Sequence, residues 1–192
     1  MTDKNSKLEH LIKLVEKIKD KELREKTIDL IKDPKLSSGW DYKASEFDEI
    51  PAWIGDHHGY RGGLLEHTIS VTEMCIMLAE HFKKMYGREI NIDYLIAAAA
   101  LHDIAKVFEI RKEGDKFAFN NFIIDHVRVG ASELYARGFP EEVVHIVGSH
   151  GGGDTPRTLE AIILNVADSL DASVENFGKD RTLLYLLGES LQ

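Results

Sequence analysis

Apolar side chains recur along this chain at intervals of three and four, the spacing that lines one face of a helix, and rarely alternate as a strand would require. Leu8, Leu11, Ile12, Val15 and Ile18 predict a first helix, and Leu23, Thr27, Leu30 and Ile31 a second that "KDPKL" breaks. Residues 37 to 63, "SSGWDYKASEFDEIPAWIGDHHGYRGG", lack periodicity but are rich in aromatics, so they read as an ordered loop. A helix over 64–85 then puts Leu64, His67, Val71, Met74, Cys75, Leu78 and Phe82 on one stripe. The run "LIAAAALHDIAKVF", 95–108, predicts a central helix that is apolar on nearly every face yet carries His102, Asp103 and Lys106. After it, "FEIRKEGDKFAFN" reads as a small hairpin turning at Gly114.

Three more helices complete the pattern. One over 122–137 aligns Ile123, His126, Val127, Gly130, Ala131 and Leu134 and stops at Gly138. The next opens at Pro140, aligns Val143, Val147 and His150, and ends in glycines 151 to 153. The last takes Thr155 as its cap and Pro156 in its first turn, with Ala161, Leu164, Asp168 and Asp171 on one side. No run forms a central sheet and no repeat is visible. The fold class expected is therefore all-α, a helical bundle with a β-hairpin near residues 108–119. Residues 1–35 form an N-terminal helical segment packed on a domain of residues 36–192.

Composition narrows the partners. The 192 residues are 43% hydrophobic and 30% charged, ordinary for a globular chain with a substantial core. With 24 Lys and Arg against 33 Asp and Glu, the net charge of -9 repels nucleic acid overall, so duplex DNA is not an expected partner. A lone cysteine, Cys75, makes no internal disulfide and no thiolate zinc cluster, and together with Met74 it belongs to the core. No signal or membrane span is evident, which makes the cytoplasm the expected location. The sequence sets no oligomeric state.

The polar residues on the apolar stripes then need an explanation, because an unpaired buried charge is costly. A single inward histidine usually reads as a hydrogen-bonded core residue. Here His67, the pair His102 and Asp103, His126, His150 and Asp168 all face inward from different helices. Imidazole and carboxylate without thiolate suit Mn, Fe, Co, Ni or Zn, and suit Mg less well. The donors exceed one tetrahedral site, so one or two divalent ions are expected. A pair of ions about 3.5–4 Å apart suits in-line displacement at phosphorus. Lys106, one turn beyond His102, reaches over the same site as a cation for phosphate. Asp171 lies a turn beyond Asp168, and His57, His58 and Arg61 offer a phosphate-binding rim. His10, His81 and His145 fall off the inward stripes and belong to the surface.

This order of residues resembles the HD superfamily of metal-dependent phosphohydrolases, defined by His, then His-Asp, then Asp: here His67, His102-Asp103 and Asp168. "HHGYRGGLLEHT", "ALHDIAK", "DHVRVGA", "GSHGGG" and "EAIILNVADSLDA" are similar to successive motifs of the HD domain in YhaM-type 3'-to-5' exoribonucleases, over about residues 20 to 175. The resemblance implies that His67, His102, Asp103 and Asp168 hold one ion. It implies that Asp103 bridges to a second near His126 and His150, and that Lys106 faces the phosphate. Asp103 and Lys106 would then be catalytic, with His58, Arg61, Lys106 and Asp171 binding substrate. Two departures are plain: Gly151 stands where relatives commonly have a second histidine, and the OB-fold that precedes the HD domain in those enzymes is not found in this sequence.

The function expected is hydrolysis of phosphomono- or phosphodiester bonds in nucleotides or short oligonucleotides. The alternatives are a 3'-to-5' exoribonuclease on single-stranded RNA and a catalytically silent nucleotide sensor.

Overall fold

The structure is a computed structural model describing residues 4–152 and 154–177. Its elements run in the order α1 (Lys4–Val15), α2 (Lys21–Lys32), α3 (Gly63–Tyr86), α4 (Ile92–Leu101), α5 (Lys106–Glu109), β1 (Ile110–Glu113), β2 (Lys116–Phe119), α6 (His126–Ala136), α7 (Glu141–Gly148) and α8 (Leu159–Glu175), with a 3-10 turn at His150–Gly152 before α8. The all-α architecture and its single antiparallel hairpin are those the periodicity predicts. In the hairpin, Ile110 faces Phe119 and Glu113 faces Lys116 across the tight turn at Gly114.

Helix α4 is the axis of the molecule. Residues Leu95 to Leu101 are all buried, and α4 touches α1, α2, α3, α7 and α8. Its alanines, Ala97 to Ala100, explain how one helix meets so many: a methyl side chain lets neighbouring backbones approach closely, and Ala costs least helix propensity. Helices α1 and α2 share this core through Leu11, Val15, Ile18, Leu23, Leu30 and Ile31. Their connection is tied to α4 by the Asp93 carboxylate, which accepts the N–H groups of Lys19 and Asp20 at 2.9 Å each. Among the described residues, no helix is long and apolar enough to cross a membrane.

Three expected boundaries move, each because local hydrogen bonding overrides the apolar pattern. Helix α6 begins at His126 rather than 122, because the Asp125 side chain caps it by accepting the Arg128 N–H at 2.9 Å; Ile123, expected on the inward stripe, precedes the helix and is 96% exposed. Thr158 caps α8 through the Ala161 N–H, so Thr155 and Pro156 lie ahead of the helix. The run 95–108 is not one helix: α4 stops at Leu101, and residues 102–105 form turns before α5.

Because the α4 alanines fill their space, enlarging one overpacks the core. Ala98→Leu is expected to lower stability by about 1–3 kcal/mol with an unchanged denaturant slope, read from urea unfolding curves.

Candidate metal centre

The break in the central helix shapes the site. Hydrogen bonds from Ile104 N–H to Leu101 O, Lys106 N–H to Asp103 O and Phe108 N–H to Ala105 O span three residues rather than four. In that tighter winding, residues three apart eclipse. Lys106 therefore stacks on Asp103, its Nζ 2.6 Å from Oδ2, and both side chains are buried. The Lys106 ammonium also sits 5.4 Å from the centre of the Trp53 ring, a cation–π contact that helps hold a charge out of water.

Around Asp103 four imidazoles converge, each on its Nε2. His67 of α3 lies 3.6 Å and His102 3.4 Å from Oδ2; His126, first residue of α6, lies 3.3 Å and His150, beyond α7, 3.4 Å from Oδ1. Asp168 of α8 closes the first group, its Oδ1 3.1 Å from His67 Nε2 and 3.9 Å from His102 Nε2. Among the described residues three sets of mutually close donors occur: His67, His102 and Asp168, and Asp103, His126 and His150, which meet around Asp103, and His58, His67 and Asp171, which joins the other ring nitrogen of His67 to Asp171. The two oxygens of Asp103 face one each of the first two sets.

The other ring nitrogens decide what this arrangement can bind. His67 Nδ1 donates to Asp171 Oδ2 at 2.7 Å, His102 Nδ1 to Ala99 O at 2.8 Å, His126 Nδ1 to Glu109 Oε2 at 2.9 Å and His150 Nδ1 to Val147 O at 2.5 Å. Every partner is an acceptor, so each Nδ1 carries a proton, and a ring that is neutral turns an Nε2 lone pair inward. The Nε2 of His150 is buried with no hydrogen-bond partner. Four Nε2 atoms and two carboxylates facing one another, with Lys106 as the nearby ammonium, draw in cations, whether protons, as between the Nε2 atoms of His67 and His102 at 3.3 Å, or metal. This donor set fits divalent metal, and the acceptors behind the rings orient and strengthen them as ligands.

The titration behaviour shows the same hunger for positive charge. Burial works against the charged ring of His67, but the hydrogen bonds of Asp168 and Asp171 outweigh it and raise its pKa to about 9. Burial likewise opposes ionisation of Asp103 and Asp168, yet the surrounding cations and rings hold both well below the usual carboxylate range. His126 is raised, its burial outweighed by Asp103 and Glu109.

Asp103, Lys106, His126, His150 and Asp168 line a cavity of about 430 Å³ together with Trp53, His57, Gly151 and the polar side of α8, while His67 and His102 are fully buried and do not line it. A larger cavity of about 840 Å³, between residues 41–50 and β1, is lined by none of them. The expected phosphate rim is redrawn. Arg61 is half-exposed and pairs with Glu49, which draws it away from the cavity. His58 is buried behind His67, with Nε2 3.6 Å from Asp171, and its neighbour His57 lines the cavity instead. Close packing fixes that placement, since a Cβ on Gly63 would come within 2.0 Å of the His58 carbonyl oxygen. Asp171 also lies behind His67, held by Ser70 Oγ. Of the four candidates for substrate contact, Lys106 alone lines the cavity. His10 and His81 are exposed, while His145 is half-buried and accepts the Arg157 N–H at 3.0 Å.

Sequence reasoning missed Glu109 and Trp53. Glu109 lies 17 positions before His126, and only the hairpin, with Asn120 N–H bonded to Glu109 O at 2.7 Å, folds the two together. Trp53 packs on Phe119 and His126 at 5.1 and 5.9 Å between ring centres, and its one signal was an aromatic in an aperiodic loop.

The HD domain family model matches residues 64–173, more than half the chain, and spans every donor described above. The chain belongs to the HD-domain family. It is a metal-dependent phosphohydrolase, of the all-helical type that its residues predict. It is 45% identical over 175 residues to the dihydroneopterin 2',3'-cyclic phosphate phosphodiesterase of Methanocaldococcus jannaschii, covering 88% of this chain and 70% of that protein. It is 30% identical over 146 residues to the 3'-5' exoribonuclease YhaM of Oceanobacillus iheyensis, covering 67% of this chain and 44% of the relative. Ribonuclease Y of Desulforamulus reducens is 30% identical over 116 residues, 59% of this chain and 19% of that one. The chain thus spans less than half of either ribonuclease. No solved structure matches.

Two outcomes are expected. Glu109→Ala should weaken the ion at Asp103, His126 and His150 by about ten- to a hundredfold and spare the other, as titration calorimetry would show. Below pH 9 a metal at His67 must displace the proton on Nε2, so falling pH weakens binding. The apparent affinity should drop about tenfold per pH unit, or about a hundredfold from pH 8 to pH 6, and a flat profile would exclude His67 as a ligand.

Proposed function

We propose that this HD-domain protein is a phosphodiesterase that opens a cyclic phosphate on a small nucleotide-like molecule, with His67, His102, Asp103 and Asp168 holding one divalent ion and Asp103, His126 and His150 a second. Mn, Fe, Co, Ni and Zn suit this donor set. The division into residues 1–35 and a catalytic domain of residues 36–192, acting in the cytoplasm, is part of this reading. The observation that carries it is the convergence of six donors and one buried ammonium at the end of a cavity sized for a small ligand. The likeness to the archaeal cyclic phosphate phosphodiesterase supports the same bond type.

When bound, the metal supplies Lewis acidity that neutralises phosphoryl charge and acidifies water. The chain's own groups do the rest. Lys106, fixed between Asp103 and the Trp53 ring, presents its ammonium where phosphate oxygens gather charge, and needs no reorganisation during reaction. Asp171, Ala99, Glu109 and Val147 keep the four rings aimed. In hydrolysis, water adds to phosphorus, one ester P–O bond breaks, and the released alkoxide takes a proton; in a cyclic ester the leaving oxygen stays on the product.

A 3'-to-5' exoribonuclease is the second reading, favoured by the likeness to YhaM. The described cavity lining works against it, since Lys106 is its one lysine or arginine and a polynucleotide backbone wants a basic track.

Protein purified without chelator should convert 2',3'-cyclic nucleotides to monophosphates, with EDTA abolishing turnover and added Mn, Co or Ni restoring it. Stepwise release of mononucleotides from end-labelled RNA at comparable kcat/KM would instead establish the exoribonuclease. A metal-loaded protein that hydrolyses neither would be the silent sensor. Asp103→Ala should lose both metal and turnover. Lys106→Ala should keep its metal and slow turnover by roughly ten- to a thousandfold, and an unchanged kcat/KM would remove Lys106 from the site.

A further inference from the structure

Beside its metal-binding end the cavity has a wall of different chemistry. Helix α8 supplies Asn165, Ser169 and Ala172 there, and the backbone of Gly151 and Gly152 faces the same space. Among the described residues, a Cβ on Gly152 would meet nothing within 4 Å, and one on Gly151 would meet only Val127 Cγ2, at 3.6 Å, so the backbone there is not crowded by them. Asn165 precedes Asp168 by three residues and Ala172 follows it by four on one helix, so this wall flanks the metal-binding end at about one turn on either side.

Two features define what the wall would accept. First, none of its side chains is cationic; Lys106, the lysine of the described lining, is committed to Asp103. A second phosphate would find no counter-charge, so this wall does not favour an anionic group. Secondly, Asn165 Nδ2 donates to Ala161 O at 2.9 Å, which sets the amide and leaves Oδ1 without a hydrogen bond among the described residues. A fixed acceptor in a small-residue wall calls for a planar partner with an N–H donor edge.

We propose that this wall is the subsite for the heterocycle of the substrate, and that the Asn165 amide oxygen selects it by accepting a hydrogen bond from an exocyclic amine or ring N–H, as a purine or pterin offers. The inference deepens the phosphodiesterase reading and rests on it for the place of the phosphate. A site built to hydrogen-bond a substrate N–H discriminates strongly against an analogue without it, because an acceptor covered by the bound analogue is then left unpaired.

The test is a cycle of variants and substrates on the metal-loaded enzyme. Asn165→Leu, with Asn165→Ala as a second variant, is assayed on 2',3'-cyclic GMP, on nebularine 2',3'-cyclic phosphate, whose base has neither exocyclic amine nor ring N–H, and on bis(p-nitrophenyl) phosphate. The expected result is that kcat/KM for cyclic GMP, relative to each of the other two substrates, falls at least tenfold, mainly through KM. Equal losses on all three would mean that Asn165 only holds α8 in place, and no loss on any would remove it from recognition; either overturns the proposal. If the wild type hydrolyses bis(p-nitrophenyl) phosphate but no cyclic nucleotide, the phosphodiesterase reading above fails by itself. The subsite is then read from inhibition of bis(p-nitrophenyl) phosphate hydrolysis by guanosine 3'-monophosphate: a Ki at least tenfold higher in the variant supports it and an unchanged Ki overturns it.

Discussion

A carboxylate only 2% exposed, Asp103, sits at the end of a helix made of alanine and leucine, and the surrounding structure answers to it. Burying an ionised Asp without compensation costs several kcal/mol. Here the compensation comes from one ammonium, from Nε2 atoms at both carboxylate oxygens, and from the cations that such a donor set gathers. The same crowding raises His67 and lowers Asp103 and Asp168, because carboxylates and positively charged or hydrogen-bonding groups stabilise one another at close range. Metal binding and folding are thereby linked, since an ion that binds only the assembled cluster stabilises the assembled state.

The ring carrying each Nε2 is held from behind by a different kind of acceptor. Backbone carbonyls of the last helical turns serve His102 and His150, carboxylates from other elements serve His67 and His126. The first pair therefore keep their orientation by local geometry. The second pair depend on tertiary contacts, α3 against α8 for Asp171 and α5 against α6 for Glu109. A carboxylate also makes a better electron donor to the ring than a carbonyl does, which places one strengthened imidazole in each set of donors.

Helix α8 joins the two parts of the cavity. Asp168 belongs to the metal-binding cluster while Asn165 and Ser169, on the same helix, line the cavity beside it, so a single element sets the spacing between the cluster and this wall. Relatives sharing the HD domain include a cyclic phosphate phosphodiesterase and ribonucleases. A common domain accounts for related chemistry, and walls such as this one leave room for different substrates.

The helices, the hairpin and the inward direction of His67, Asp168 and the His102-Asp103 pair were legible from spacing, because periodicity is a local property and each of these residues lies on or beside an apolar stripe. Caps were less legible: Asp125 and Thr158 moved two helix starts, since a side chain competing for backbone N–H groups outweighs a run of apolar residues nearby. The turn at 102–105 was hidden because alanine- and leucine-rich sequence favours helix on both sides of it. Glu109 behind His126, Trp53 beneath Lys106, and the turning of Arg61 to Glu49 while His57 takes the rim belong to tertiary structure alone. Each of those contacts joins residues between which the chain reverses or loops without periodic signal. The sequence by itself determined which residue types would be buried together, through the cost of hiding them singly; only the folded chain decided which atoms of those residues face one another, because that depends on turns and packing angles that no spacing encodes.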